Sequence, residues 1–287
     1  MKDIPIRKIS ATPQEENLSE RFSIRDVQSF LAGKAMIQEL HRHEFFYILA
    51  LEKGLGSHEI DFISYEVKDY SIFFMRPGQV HQIELKENCT GFLLEFDPTF
   101  YHPNESLSNQ RLKKASSKNF CLLEVSRFEK LLSVLAYIFN EFTEKQNGYL
   151  EVIKANLDIF FIEFVRQSKD PDSISVDGNS YAQERLEDFL ELLNLHILTQ
   201  KQVSQYAELL NLSIYQLNSI TKTTLNKTCS ELINEQIILE SKRQLLATSN
   251  QVTQIAFHLG YEDVSYFIRF FKKHTGHSPE MFRHNYK

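Results

Sequence analysis

The chain of 287 residues contains no apolar run approaching the roughly 18 residues that a membrane-spanning helix requires, so no such helix is expected. Its first residues, MKDIPIRKIS, hold no apolar stretch of the kind a secretory signal carries, and the expected location is the cytoplasm. Cysteine is scarce. Cys89, Cys121 and Cys229 are far apart, odd in number and without CxxC spacing, which argues against both a disulfide framework and a thiolate zinc site and leaves buried free thiols. Catalytic signatures are missing too: no phosphate-cradling loop, no Ser/His/Asp order and no carboxylate pair stands out. No catalysis, and no cofactor for it, is expected.

What is present is an ordinary globular composition, 42% hydrophobic and 24% charged, in a chain long enough for two domains. The net charge of −6 is unevenly divided: residues 1–180 hold 21 Lys/Arg against 27 Asp/Glu, whereas residues 181–287 hold 11 of each. Near the end Arg269, Lys272, Lys273, Arg283 and Lys287 face only Glu280, with His274, His277 and His284 among them. Attraction to phosphate depends on such local positive surface more than on total charge.

The same region repeats itself. Val252, Ile255, Ala256 and Leu259 fall on one face at helical spacing, Gly260 supplies a left-handed stop, and Asp263 is placed to cap a second helix with Phe267, Phe270 and Phe271 inward. Val203, Ala207, Leu210 and Asn211 precede Val252, Ala256, Leu259 and Gly260 by a constant 49 positions. Beyond the turn the offset is 50, pairing Leu217 with Phe267, Ile220 with Phe270, Lys222 with Lys272, Asn226 with Gly276 and Leu232 with Phe282, as one inserted turn residue requires. Ser213 and Gln216 form a capping-box pattern, and Asn226 suits a left-handed position as Gly276 does. Two helix-turn-helix units, about 199–225 and 250–276, are expected, each with a second helix fit for a major groove.

On these residues the last hundred or so positions resemble the DNA-binding domain of AraC/XylS-type bacterial transcription regulators. The signature stands as Ile255-Ala256, Leu259-Gly260-Tyr261, Ser265-Tyr266-Phe267, Arg269-Phe270-Phe271-Lys272, Gly276 and Ser278-Pro279, and Glu231 to Thr248 resembles the helix that joins the two units. The first unit departs from the pattern, with Ser219 and Thr221 where Arg and Phe are common. The resemblance implies double-stranded operator DNA as partner, read by Tyr215, Gln216, Asn218 and Ser219 from the first unit and Val264, Ser265 and Arg269 from the second. Lys222, Lys272 and Lys273 are expected on phosphates. It also implies a homodimer and contact with RNA polymerase, as for an activator, and no membrane partner.

Upstream, QSKDPDSISVDGNS at 167–180 reads as an exposed linker. Before it, helical stripes at about 126–145 and 149–167 are wide enough for both an internal core and a surplus dimer face. Between about 20 and 100, segments Phe45 to Leu51, Gly56 to Ile63, Ser71 to Met75, His81 to Leu85 and Gly91 to Phe96 read as short strands of a β-barrel or sandwich. HRHE at 41–44 and RPGQVH at 76–81 resemble the two cupin motifs.

His41, His43 and His81 could supply imidazoles to a metal, but the Glu of metal-binding cupins is replaced by Tyr47 and Ile48, so no metal is expected. His41, His43, Tyr47 and His81 are read instead as polar contacts for a small-molecule effector, in a cavity lined by Phe45, Tyr47, Phe62, Phe74 and Phe96. The expected architecture is thus a cupin-like β-barrel with flanking helices for sensing and dimerisation (1–166), a linker (167–180), and an all-α tandem helix-turn-helix domain (181–287). The alternatives are a metal-dependent cupin enzyme fused to a DNA-binding tail, and a DNA binder that needs no ligand.

Overall fold

The computed structural model describes residues 6–7, 9, 21–101, 106–167 and 180–286. Contacts divide the chain into one unit of Ile4–Ser173 and another containing Ile174–Lys287. Residues 168–179, most of the expected linker, and Lys287 lie outside the described residues.

The first unit runs β1 (Ile6–Arg7), β2 (Phe22–Asp26), α1 (Val27–Leu31), β3 (Met36–His43), β4 (Phe46–Lys53), β5 (Gly56–Ile60), β6 (Ile63–Val67), β7 (Ser71–Met75), β8 (Val80–Leu85), β9 (Thr90–Phe96), α2 (Ser106–Ala115), β10 (Phe120–Leu122), α3 (Val125–Glu144) and α4 (Tyr149–Gln167). The strands form two five-stranded sheets, ordered β1-β3-β8-β5-β6 and β10-β7-β4-β9-β2. Every pairing is antiparallel except β1 with β3. The cupin-like domain is therefore a pair of sheets whose described ladders do not join into one closed ring.

Alternation along the central strands builds two cores. Tyr47, Leu49, Leu51, Phe73, Met75 and Leu93 join Ile60, Ile83 and Leu85 of the other sheet, while Ile48, Ala50, Ile72, Phe74, Leu94 and Phe96 turn to the helices. A strand buried on both faces reads as a continuous apolar run, which is why β4 and β7 stand out in the sequence. On α3 and α4, Phe128, Leu131, Leu135, Ile138, Ile153, Leu157, Phe160, Phe161 and Phe164 are spent on this helix-side core. Most of both apolar stripes is internal, with Tyr137 and Ile159 left exposed.

The expected strand Gly56 to Ile63 ends early. Asp61 and Phe62 take positive φ, 48° and 69°, making the two-residue turn of the β5–β6 hairpin. Phe62 therefore sits in a turn and does not line the interior, and Phe74 and Phe96 face the helices; only Phe45 and Tyr47 of the five expected lining residues belong to the core between the sheets.

The second unit is α5 (Ser180–His196), α6 (Val203–Leu209), α7 (Ile214–Leu225), α8 (Cys229–Ala247), α9 (Val252–His258), α10 (Val264–Thr275) and α11 (Pro279–Asn285). Helices α6–α7 and α9–α10 are the two expected repeats, their starts 49 and 50 positions apart. Asn211 and Gly260 hold the left-handed turn position at φ 53° and 72°, and one additional residue precedes the second cap. Each turn is closed in the same way: Leu212 donates to the Ala207 carbonyl, and Tyr261 to that of Ala256, both at 2.9 Å. A Cβ on Gly260 would lie 2.5 Å from the Leu198 carbonyl oxygen, so the second turn needs glycine twice over.

Candidate nucleic-acid interface and buried histidine cluster

Helix α7 starts from the capping box foreseen in the sequence. Ser213 Oγ accepts from the Gln216 amide at 3.1 Å, and Gln216 Oε1 accepts from the Ser213 amide at 2.8 Å. Asp263 caps α10 by accepting from the Ser265 amide at 2.7 Å. Leu217 and Ile220 bury the inner face of α7, and Phe267 and Phe271 that of α10, whereas Phe270 is only half-buried against Tyr261 and His274.

The outer faces carry the expected reading residues. Tyr215 is 83% exposed, Gln216 and Ser219 are exposed, and Lys222 sits in the last turn of α7. On α10, Ser265, Arg269, Lys272 and Lys273 are exposed and Val264 is half-buried. Among the described residues Arg269 has a 3.9 Å ion pair to Asp263, both groups largely in solvent, so its guanidinium can leave at little cost.

Two residues have internal partners. Asn218 is half-buried: its Nδ2 donates to the Ile214 carbonyl at 3.1 Å and its Oδ1 accepts from the Cys229 amide at 3.1 Å, tying α7 to the start of α8. These bonds give that side chain a structural task. Arg283, counted with the terminal cations, is buried and donates to the carbonyls of Leu245 and Asn250, each at 2.7 Å. Its charge closes the end of α8 and does not add to the positive surface. Lys201, which no sequence signal marked, donates from Nζ to the carbonyls of Leu198 and Gly260 at 3.3 Å and lies over the Tyr261 ring. Partial burial lowers its pKa.

The first unit holds the second site. His41 pairs directly across the ladder with His81, His43 lies two residues along the same face of β3, and His58 on β5 pairs with Ile83, diagonal to His81. All four rings point into the core between the sheets, and none is more than 4% exposed. His43 Nε2 lies 2.8 Å from His81 Nε2, and His81 Nδ1 lies 2.8 Å from His58 Nε2. His41 Nδ1 donates to the Glu39 carbonyl at 2.7 Å. The ligand atoms of His41, His43 and His81 fall within 4.8 Å of one another.

The turn between β7 and β8 fixes this arrangement. Gly78 donates its amide to the His43 carbonyl at 2.7 Å, and the buried Gln79 accepts from the Arg76 amide while donating to Asp61 at 2.6 Å and Asn119 at 3.1 Å. Tyr47 stacks parallel to His43, with ring centroids 5.6 Å apart. Burial, then the His41 and His43 rings, push the His58 pKa down to about 3, so it stays neutral. The sequence singled out His41, His43, Tyr47 and His81, which the fold brings together; it missed His58, because only the β5–β8 pairing places that residue at the site.

Comparison with known proteins identifies both halves. Residues 34–144 match the family model of an AraC-like ligand binding domain, and residues 206–285 that of a helix-turn-helix domain. The chain is 23% identical over 257 residues to the HTH-type transcriptional activator RhaS of Pectobacterium atrosepticum, covering 85% of this chain and 87% of that one. It is 22% identical over 251 residues to the uncharacterized HTH-type transcriptional regulator YdeC of Bacillus subtilis, with 85% of each chain covered. The crystal structure of ToxT from Vibrio cholerae aligns with a TM-score of 0.45 at 18% identity, over 92% of this chain and 97% of that one. No described helix is long and apolar enough to cross a membrane. With a ligand-binding domain of paired sheets followed by tandem helix-turn-helix units, the chain belongs to the AraC-type family of transcription regulators.

Proposed function

We propose that the chain works in the cytoplasm as a homodimer, without catalysis of its own, and activates transcription by presenting α7 and α10 to successive major-groove segments of an operator. Tyr215, Gln216 and Ser219 would read bases in one segment and Val264, Ser265 and Arg269 in the next, with Lys222, Lys272 and Lys273 on phosphates. Asn218, bonded to the Ile214 carbonyl and the Cys229 amide, would support the reading helix. The observation that carries this reading is that Tyr215, 83% exposed, and Arg269, its side chain 69% exposed, stand out from the outer faces of capped helices whose inner faces are buried. The functional division is 1–166 for sensing and dimerisation, 167–180 as linker and 181–287 for DNA.

An effector in the first unit, contacted by His41, His43, Tyr47 or His81, would shift the balance between DNA-competent and incompetent arrangements. By linkage, operator DNA must then change effector affinity by the same factor. RNA polymerase is the expected partner at the promoter. The test selects operators from random DNA with the full-length chain and compares selected and random sequences in fluorescence anisotropy at several salt concentrations. The expected result is binding of the selected sequence about 10³-fold or more tighter than of random DNA, with a negative salt slope for both. Equal affinity for both would overturn sequence-specific reading. Sedimentation at micromolar concentration tests the dimer: a monomer with and without DNA overturns it.

A further inference from the structure

The space between the four histidines fits an ion better than a metabolite. Their rings are packed against one another and against Phe45, Tyr47 and Phe73, with essentially no exposed surface. Around a tetrahedral ion with metal–nitrogen bonds of about 2.0–2.1 Å, neighbouring ligand nitrogens stand about 3.3 Å apart. Here His43 Nε2 and His81 Nε2 are 2.8 Å apart, and the three ligand atoms of His41, His43 and His81 lie within 4.8 Å of one another. Shifts of an ångström or so would bring them to bonding distance.

We propose that His41, His43 and His81 hold a divalent transition-metal ion of the zinc class, that His58 positions His81 for it, and that this ion is the effector of the sheet domain. The last clause rests on the sensing role proposed above; the binding site does not.

Two of the three ligands, His41 and His81, have the second-neighbour contacts that a metal site requires. A metal-bound imidazole uses its other ring nitrogen to hold its orientation. His41 does so through Nδ1 to the Glu39 carbonyl, which turns Nε2 into the ligand atom. His81 does so through Nδ1 to His58 Nε2. Two neutral imidazoles cannot both aim a bare lone pair at each other over 2.8 Å, so one of the His43–His81 pair carries a proton there. The ion takes that proton's place, and the proton passes to the other nitrogen of the same ring. The ligands come from the adjacent strands β3 and β8, in fixed register and locked by the Gly78 amide on the His43 carbonyl, so little conformational entropy is lost on binding. An all-imidazole set selects the ion: magnesium and calcium demand oxygen ligands, while zinc, cobalt, nickel and copper accept imidazole. The fourth position falls to water or a small anion.

The experiment uses the full-length chain, stripped with a chelator and titrated with Co²⁺. One Co²⁺ per chain, with the intense visible absorption of a four-coordinate site and displacement by Zn²⁺ but not Mg²⁺, is expected. His43→Gln and His81→Gln should abolish the absorption, and His58→Gln should keep it while weakening affinity about 10–100-fold. Because a buried substitution can unfold the sheets, X-ray absorption on the zinc-loaded wild type reads the ligands directly: three imidazole nitrogens at about 2.0–2.1 Å are expected. No uptake at a hundredfold excess of Co²⁺, a six-coordinate spectrum, or unchanged uptake by the His41/His43/His81 triple Gln variant would overturn the site, and metabolite screening would then still test sensing. Uptake with three imidazoles but identical operator affinity with and without Zn²⁺ would overturn the effector clause alone.

Discussion

The two helix-turn-helix units have the same backbone plan and different chemistry. Helices α7 and α10 are each 12 residues long, start from a side-chain cap and end on a left-handed residue. Inside, α7 packs with Leu217 and Ile220, whereas α10 packs with Phe267 and Phe271 in a run of rings that includes Tyr261 and Phe282. Outside, α7 offers a tyrosine, a glutamine and a serine with Lys222 as its one cation, whereas α10 offers Arg269, Lys272 and Lys273. The conserved geometry thus lives in caps and turns, where backbone conformation restricts residue choice, and the surface is free to divide labour. The outer face of the second unit is charged, and that of the first is mostly neutral.

The largest effect should separate the two cores. Phe267 and Leu217 occupy matching positions and both are fully buried. Phe267→Ala removes a ring with several aromatic neighbours and should cost about 3–5 kcal/mol, whereas Leu217→Ala should cost about 2–5 kcal/mol, at the lower end if the smaller aliphatic core can close around the gap. Urea unfolding of the full-length variants measures both. A greater loss at Leu217 would reverse the comparison and make the first unit the better packed of the two.

Next in size is binding. If the second unit supplies charge and a guanine reader, Arg269→Ala should weaken operator binding by about 1–3 kcal/mol and relax preference at one base. Lys272→Ala and Lys273→Ala should each lower the salt slope by about one phosphate and weaken selected and random DNA alike. Anisotropy on both kinds of DNA distinguishes the two patterns. An equal loss for Arg269→Ala on both would make it a third phosphate contact and sharpen the contrast between units from reading to charge alone.

These contrasts were largely legible in the sequence, because caps, left-handed stops and helical stripes are local signals. Ser213, Gln216, Asp263, Gly260 and Asn226 all occupy the positions their chemistry requires. What was not legible depends on contacts distant in the chain. β3 fully buries only the polar His41 and His43 and leaves the apolar Ile37 exposed, so the strand that carries the two histidines has no apolar alternation to mark it. His58 became part of the cluster only through the register of β5 on β8. Arg283 looked like one more surface cation until α11 brought it onto the carbonyls of Leu245 and Asn250. Phe62 reads as a lining residue only if Gly56 to Ile63 is one strand, and β5 ends at Ile60, before the turn that holds Phe62.

Asn218 tests whether the first unit's neutral face is all reading surface. Its two internal hydrogen bonds give it a structural role, so Asn218→Ala should cost about 1 kcal/mol of stability, with the Cys229 amide losing its acceptor. Base preference in a selection experiment should stay unchanged. A relaxed preference at one position, with stability intact, would return Asn218 to the reading set and widen the neutral surface of α7.

The smallest effect tests the claim that the duplicated geometry resides in its left-handed stops. Asn226 at φ 55° and Gly276 at φ 80° close α7 and α10 in the same way, each amide donating to the carbonyl of the lysine four residues before, at 2.9 Å. A Cβ on Gly276 would meet nothing within 4 Å, so asparagine there carries only the conformational cost of a left-handed residue. Gly276→Asn should therefore cost about 0.5 kcal/mol and Asn226→Gly should gain about as much, leaving the double swap close to neutral. Thermal unfolding of the three variants measures this, and Gly260→Asn is the control. That change should be far more costly, because a Cβ at Gly260 meets the Leu198 carbonyl at 2.5 Å. A double swap that loses more than about 1 kcal/mol would mean that the Asn226 side chain contributes contacts of its own, and that the two stops are not interchangeable.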